Sequence, residues 1–204
     1  MARRSELPWA ALAALLLAAC VTPFEGEVTT FHQWQHPHGE TIRIVPLDER
    51  KTGSLEFRQY AGLVAERLQQ IGYSVVGPDQ PARYVAWMDY AIDSGRTEVQ
   101  SWPSDTVWYH FNYGYYHDPF YYGHYHPPPQ VYSYTVYTRS LSLAIRATPD
   151  GGLGEVVYEG RVHSVGRSHR LEQIIPYMVA AMFTNFPGES GLTKLVTVET
   201  DGGD

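Results

Sequence analysis

The chain is short of cysteine, of positive charge and of long apolar runs. Among its 204 residues there is one cysteine, Cys20. A single thiol excludes an intramolecular disulfide and a cysteine-built zinc cage. Lys and Arg number 15 against 22 Asp and Glu, a net charge of -7. A protein that meets nucleic acid through its phosphates needs a basic face, so nucleic acid is not an expected partner. The same deficit argues against purely electrostatic docking on anionic lipid. No apolar run reaches the ~20 residues of a bilayer-spanning helix. Common enzyme signatures are missing too. There is no G-x-S-x-G elbow, no Walker loop and no G-x-G-x-x-G. Gly151-Gly152-Leu153-Gly154 reads as a hairpin turn, and no cofactor is expected.

The amino terminus is informative. Met1-Ala2-Arg3-Arg4 is positively charged, and Leu7 to Ala19 is rich in Ala and Leu. This is the pattern of a secretory signal, predicted over 1–19. It ends in Leu17-Ala18-Ala19-Cys20, which resembles the bacterial lipobox. Small residues at 18 and 19 suit a peptidase pocket, and the sole thiol is placed for a thioether to lipid. The resemblance implies cleavage before Cys20 and acylation of that residue, with residues 20–26 as lipidated start and linker. Acyl chains at ~0.8 kcal/mol per buried CH₂ would anchor the protein to a membrane. Val21 stands where an inner-membrane retention signal would have Asp. By analogy the expected location is the outer membrane, facing the periplasm.

The composition of the remainder, 44% hydrophobic and 18% charged, suffices for one packed domain. Alternation predicts strands at Glu27 to Trp34, Thr41 to Pro46, Tyr73 to Val76 and Ala82 to Asp93. Long strands follow at Val131 to Thr148 and Gly154 to Val165, with an edge strand at Leu192 to Val198. Phe57, Tyr60, Ala61, Val64, Leu68 and Ile71 fall on one helical face. Ser54 can cap that helix and Gly72 can end it. Leu171, Ile174, Ile175, Met178, Met182 and Phe186 keep the spacing of a second helix, which either kinks at Pro176 or begins there, with Ser168 as its expected cap. The expected fold is α+β, a two-layer sandwich with a mostly antiparallel sheet, two helices on one face and the other face open. Residues 200–204 read as a tail.

Between the strands lies an aromatic insert, residues 101–130. It holds eleven aromatics and four His, and no Leu, Ile, Lys or Arg. The insert reads either as a mobile hairpin extension with no defined site or as a sticky surface, for which Trp102, Trp108, Tyr113, Tyr116, Tyr121 and Tyr122 are the candidate interaction residues. Such rings bind at low entropy cost, favour membrane interfaces and stack on sugars. His110, His117, His124 and His126 are weak candidates for a metal, with His32, His36 and His38 as a second group. Their Pro/Gly-rich context lacks the rigid spacing of a zinc site, so no metal site is assigned. Asp89 and Asp93 are the remaining candidate acids. On one strand they would stand roughly 13 Å apart, too far for an acid–base couple.

Several segments together resemble one family. They are the signal with Cys20, Thr41-Ile42-Arg43-Ile44-Val45-Pro46, the Leu55–Gly72 helix with Gly72-Tyr73, and Ala82-Arg83-Tyr84-Val85. The most telling is Phe183-Thr184-Asn185-Phe186-Pro187-Gly188-Glu189-Ser190-Gly191. The chain resembles the DUF4136 family of bacterial lipoproteins over about residues 27–199. It departs at Arg83-Tyr84, where that family tends to have Ala-Asp. The resemblance implies a location and an architecture, and no catalytic residue. The expected function is a non-enzymatic outer-membrane lipoprotein that binds or helps assemble envelope components. Its expected partners are the membrane, through Cys20, and an envelope protein or glycan. The alternatives are a His-rich periplasmic metal-binding protein and a cell-wall hydrolase.

Overall fold

The computed structural model describes residues 22–33, 35–102, 130–149, 152 and 154–200. Eight strands and two α-helices follow in the order β1 (Phe24–His32), β2 (Thr41–Pro46), α1 (Leu55–Gln70), β3 (Ser74–Val76), β4 (Tyr84–Ile92), β5 (Arg96–Trp102), β6 (Gln130–Ala147), β7 (Val156–Gly166), α2 (Leu171–Phe183) and β8 (Leu192–Val198). A short 3₁₀ turn, Glu49–Lys51, precedes α1. The sheet order is β3-β2-β4-β6-β7-β1-β8, with β5 paired to β6 off that path. Strand β2 runs parallel to β3 and β4, and the other pairings are antiparallel. This is the expected α+β sandwich, with a mixed sheet.

The core lies between the sheet and the helices. Strand alternation selects its members: Ala86, Met88 and Tyr90 from β4, Leu141, Leu143 and Ile145 from β6, and Tyr158 and Val162 from β7. They meet Phe57, Tyr60, Val64 and Leu68 of α1 and Ile174, Ile175, Met178 and Met182 of α2. Tyr60 packs edge-on against Tyr90 at 4.9 Å, and burial pushes the Tyr90 hydroxyl up to about 12. The opposite positions of β6, Ser140, Ser142, Ala144 and Arg146, are half-exposed on the open face.

Helix α1 follows its sequence signals closely. Ser54 Oγ accepts from the Phe57 N–H at 3.3 Å. Gly72 takes φ 107° and its carbonyl accepts from the Gly39 N–H at 3.0 Å.

Helix α2 departs from expectation at both ends. It begins at Leu171 and runs through Pro176, which faces water along with Glu172, whose carbonyl loses its helical donor. Its cap position is Arg170, without a side-chain cap. Ser168 instead accepts from the Arg170 N–H at 3.3 Å. The helix stops at Phe183, before the expected Phe186, because Asn185 turns left-handed at φ 58°. Phe186 still joins the core, stacked on Phe183 at 5.0 Å and lying 4.6 Å from Tyr158.

Two strands also differ from the reading. Strand β1 begins at Phe24, inside the expected linker, and ends at His32 rather than Trp34. Its start is fixed by pairing Phe24 with Val198 and by packing the Phe24 ring 6.1 Å from Tyr177. Strand β5 was not expected. Polar residues occupy both of its faces, so it has no apolar stripe to announce it.

Leu68 is fully buried against the sheet. Leu68→Ala should lower unfolding free energy by about 2–5 kcal/mol in urea titrations, with the fold retained.

Candidate functional site

Strand β6 is longer than the sheet that holds it. It meets β7 only from Tyr137 onward and β4 only from Arg139 onward. Residues Gln130–Val136 pair with β5 alone among the described residues. The product is a two-stranded arm that reaches ~23 Å past the sheet. Isolated ribbons of this kind are marginal in water, so the arm depends on what fixes its base.

The base is fixed from two sides. At the β4–β5 joint, the Asp93 carboxylate accepts from the Gly95 N–H at 2.9 Å and from the Thr138 N–H at 3.0 Å. These bonds, led by that from Thr138, hold the Asp93 carboxyl below the ordinary carboxylate range. Gly95 takes φ 80°, and a Cβ there would lie 2.8 Å from both Thr135 and Tyr137. On the other side, Arg167 lies 4.4 Å over the Tyr134 ring. The Tyr134 hydroxyl donates to Glu98 at 3.2 Å, and Glu98 pairs with Arg96 at 3.2 Å.

Beyond Glu98 and Tyr134 the arm changes character. Val99, Trp102, Val131 and Tyr132 are exposed by 66%, 58%, 60% and 56%. Within this outer half, Val99–Trp102 and Gln130–Ser133, no charged residue occurs. Register puts Trp102 and Tyr132 on one face of the ribbon and Val99 and Val131 on the other.

Thr22 to Phe24, the first of the described residues, lie at the same corner. Strand β1 starts at Phe24, running antiparallel to β7, whose last residue Gly166 pairs with Tyr137 at the arm's base. Thr22, Pro23, Phe24, Arg139, Gly166 and Arg167 line one open cavity of about 470 Å³ there. Arg139 is buried, at 1% exposure, with a guanidinium nitrogen 3.5 Å from the Ser168 carbonyl. Gly166 makes room for it, since a Cβ would lie 2.2 Å from the guanidinium.

The open sheet face carries a separate shallow groove of about 520 Å³. Trp87, Ser142, Ala144, Arg146, Glu159 and Arg161 line it, and the Arg146 guanidinium lies 5.8 Å from the Trp87 ring.

Of the expected interaction surface, Trp102 is placed, at the end of β5 rather than within a loop. Trp108, Tyr113, Tyr116, Tyr121 and Tyr122 lie outside the described residues, as do His110, His117, His124 and His126. So do Cys20, Leu17, Ala18 and Ala19. Among the described residues no three His, Cys, Asp or Glu side chains gather where an ion could sit. Asp89 and Asp93 are not brought together as a pair. Asp89 binds the Lys51 ammonium, which also donates to the Tyr90 carbonyl, while Asp93 lies past the end of β4 at the arm joint. Sequence reasoning missed the joint. The Asp93-Ser94-Gly95 turn at the end of the alternating β4 stretch was its only signal.

A mixed sheet covered on one face by two helices, with a projecting ribbon, defines a small α+β sandwich domain. The chain belongs to DUF4136, a family described as a domain of unknown function, whose model matches residues 26–188. Comparison with curated proteins finds no match. Among solved structures the chain is similar to a PDZ domain protein from Parabacteroides distasonis, at 16% identity and a TM-score of 0.48. That match covers 93% of this chain and 42% of the other, so this chain spans well under half of that protein. It is also similar to a PelC dodecamer from Paraburkholderia phytofirmans, at 13% identity and a TM-score of 0.38, covering 76% of this chain and 92% of the other. At these TM-scores the likenesses carry no argument about function.

The Asp93 clamp has a pH dependence. Its folded value is depressed, so its contribution is complete above the ordinary Asp value of about 3.9 and is lost as pH falls through the folded value. Asp93→Ala should speed amide exchange at Gly95 and Thr138 at neutral pH. In the unsubstituted protein the same amides should loosen only in acid below about pH 4.

Proposed function

We propose that this chain is a lipid-anchored, non-enzymatic module of the bacterial outer membrane, facing the periplasm, that binds or helps assemble envelope components. The anchor is Cys20, the only thiol, at the end of a short apolar run. The contact element is the β5–β6 arm. One observation carries this reading: the arm's outer half exposes Val99, Trp102, Val131 and Tyr132 beyond the support of the sheet. Exposed apolar groups clustered on a projecting element are a cost in water, and an occupant that covers them removes that cost. Clustered aromatic side chains offer flat apolar contact with a polar tip. The carboxylates weighed for catalysis, Asp89 and Asp93, serve an ion pair and a backbone clamp.

The test is to delete residues 101–130 and place a photo-crosslinkable residue at Val99. The deleted protein should keep its cooperative urea transition and lose the envelope component that the full-length protein captures in cells. A deletion product that does not fold, or one that captures the same component, contradicts the reading.

A further inference from the structure

We propose that the outer half of the arm is a second membrane contact, seated in the headgroup region of the bilayer to which Cys20 tethers the chain. This inference rests on the anchored reading above and names the arm's occupant.

Geometry places the arm at the tethered end. Phe24, Gly166 and Tyr137 share one end of the sheet, and β6 leaves the sheet there as the arm. Cys20 precedes Phe24 by four residues, an extended reach of at most ~14 Å. An acyl group on Cys20 therefore holds this end near the lipid surface. The arm reaches ~23 Å from the same end. The opposite end, where Ala147 pairs with Tyr84 and Asp79 is exposed, is a sheet length away.

The chemistry of the arm changes along its length in the order a bilayer surface demands. Charge is confined to the inner half, in Arg96 and Glu98. The outer half has none and exposes Val, Trp and Tyr. Trp and Tyr concentrate where one end of the ring is apolar and the other wet. The inner half limits the depth. Arg96 and Glu98 carry a half-exposed ion pair, which stays in water and cannot enter the hydrocarbon interior. Acyl chains with a second contact fix orientation as well as location. The open sheet face and its Trp87 groove are then held in a constant attitude to the membrane.

The full-length acylated protein suits a direct test, because its native thiol is consumed. Val99→Cys, Tyr132→Cys and Asp79→Cys variants are labelled with an environment-sensitive fluorophore. They are reconstituted in phosphatidylethanolamine–phosphatidylglycerol vesicles with and without headgroup-region nitroxide lipid. Labels at 99 and 132 should lose roughly half their emission, and the label at 79 should be unchanged. Adding Trp102→Glu to the Val99→Cys variant should abolish the quenching, with circular dichroism unaltered. Equal response at all three positions overturns the proposal. So does shielding of position 99 that depends on protein concentration and survives without lipid, which would make the occupant a second copy. Mass spectrometry of the amino-terminal peptide judges the anchor separately. A free Cys20 overturns the anchored reading alone, and flotation of that same unacylated chain with the vesicles then decides the arm.

Discussion

Strand β6 pairs with β4 along one edge and β7 along the other, and those two ladders position nearly everything else. The 18-residue strand is the centre of the sheet over its second half. There Leu141, Leu143 and Ile145 face the helices, all but inaccessible to water. Over its first half the same backbone has lost both central neighbours and, among the described residues, pairs with β5 alone. A strand is stiff over this distance when its ladder is intact, so core packing at one end aims the arm at the other. The domain and its projecting element are one continuous piece of secondary structure.

The corner where sheet becomes arm combines several costly features. A buried guanidinium, Arg139, sits where Gly166 leaves space, and burying such a charge is expensive unless it is well accommodated. Asp93 holds the β4–β5 joint through two backbone donors, and Gly95 allows a close approach that a side chain would block. Arg167 covers Tyr134 from the neighbouring strand's end. All of these settle the direction of the arm, and the start of β1, from Thr22 to Phe24, lies at the same place.

The core was the legible part of the fold. The stripe Phe57, Tyr60, Val64, Leu68 and the alternation of β4, β6 and β7 each have a strong apolar period, and the structure buries those residues. Ser54 and Gly72 gave the limits of α1 because capping is a local matter. What was not legible was set by tertiary pairing. Arg96–Trp102 has no apolar face, and its strand exists because β6 supplies a ladder. Phe24 looked like linker because its partners, Val198 and Tyr177, are far away in sequence. Ser168 had the right chemistry for a cap, but the helix begins two residues later than that role requires. For the candidate site, composition pointed to the neighbourhood of Trp102, while the joint at Asp93 and the shared corner with the start of β1 came only from register.

The central claim is that β6 belongs to the cooperative core over one half and to a locally supported arm over the other. Residue-resolved native-state hydrogen exchange along β6 tests it directly. Amides from Leu141 to Ile145 should open only with global unfolding, and protection should fall stepwise from Tyr137 toward Val131, reaching low local opening energies there. Uniform protection through Val131, lost only with the whole fold, would show the arm to be part of the core and contradict the account.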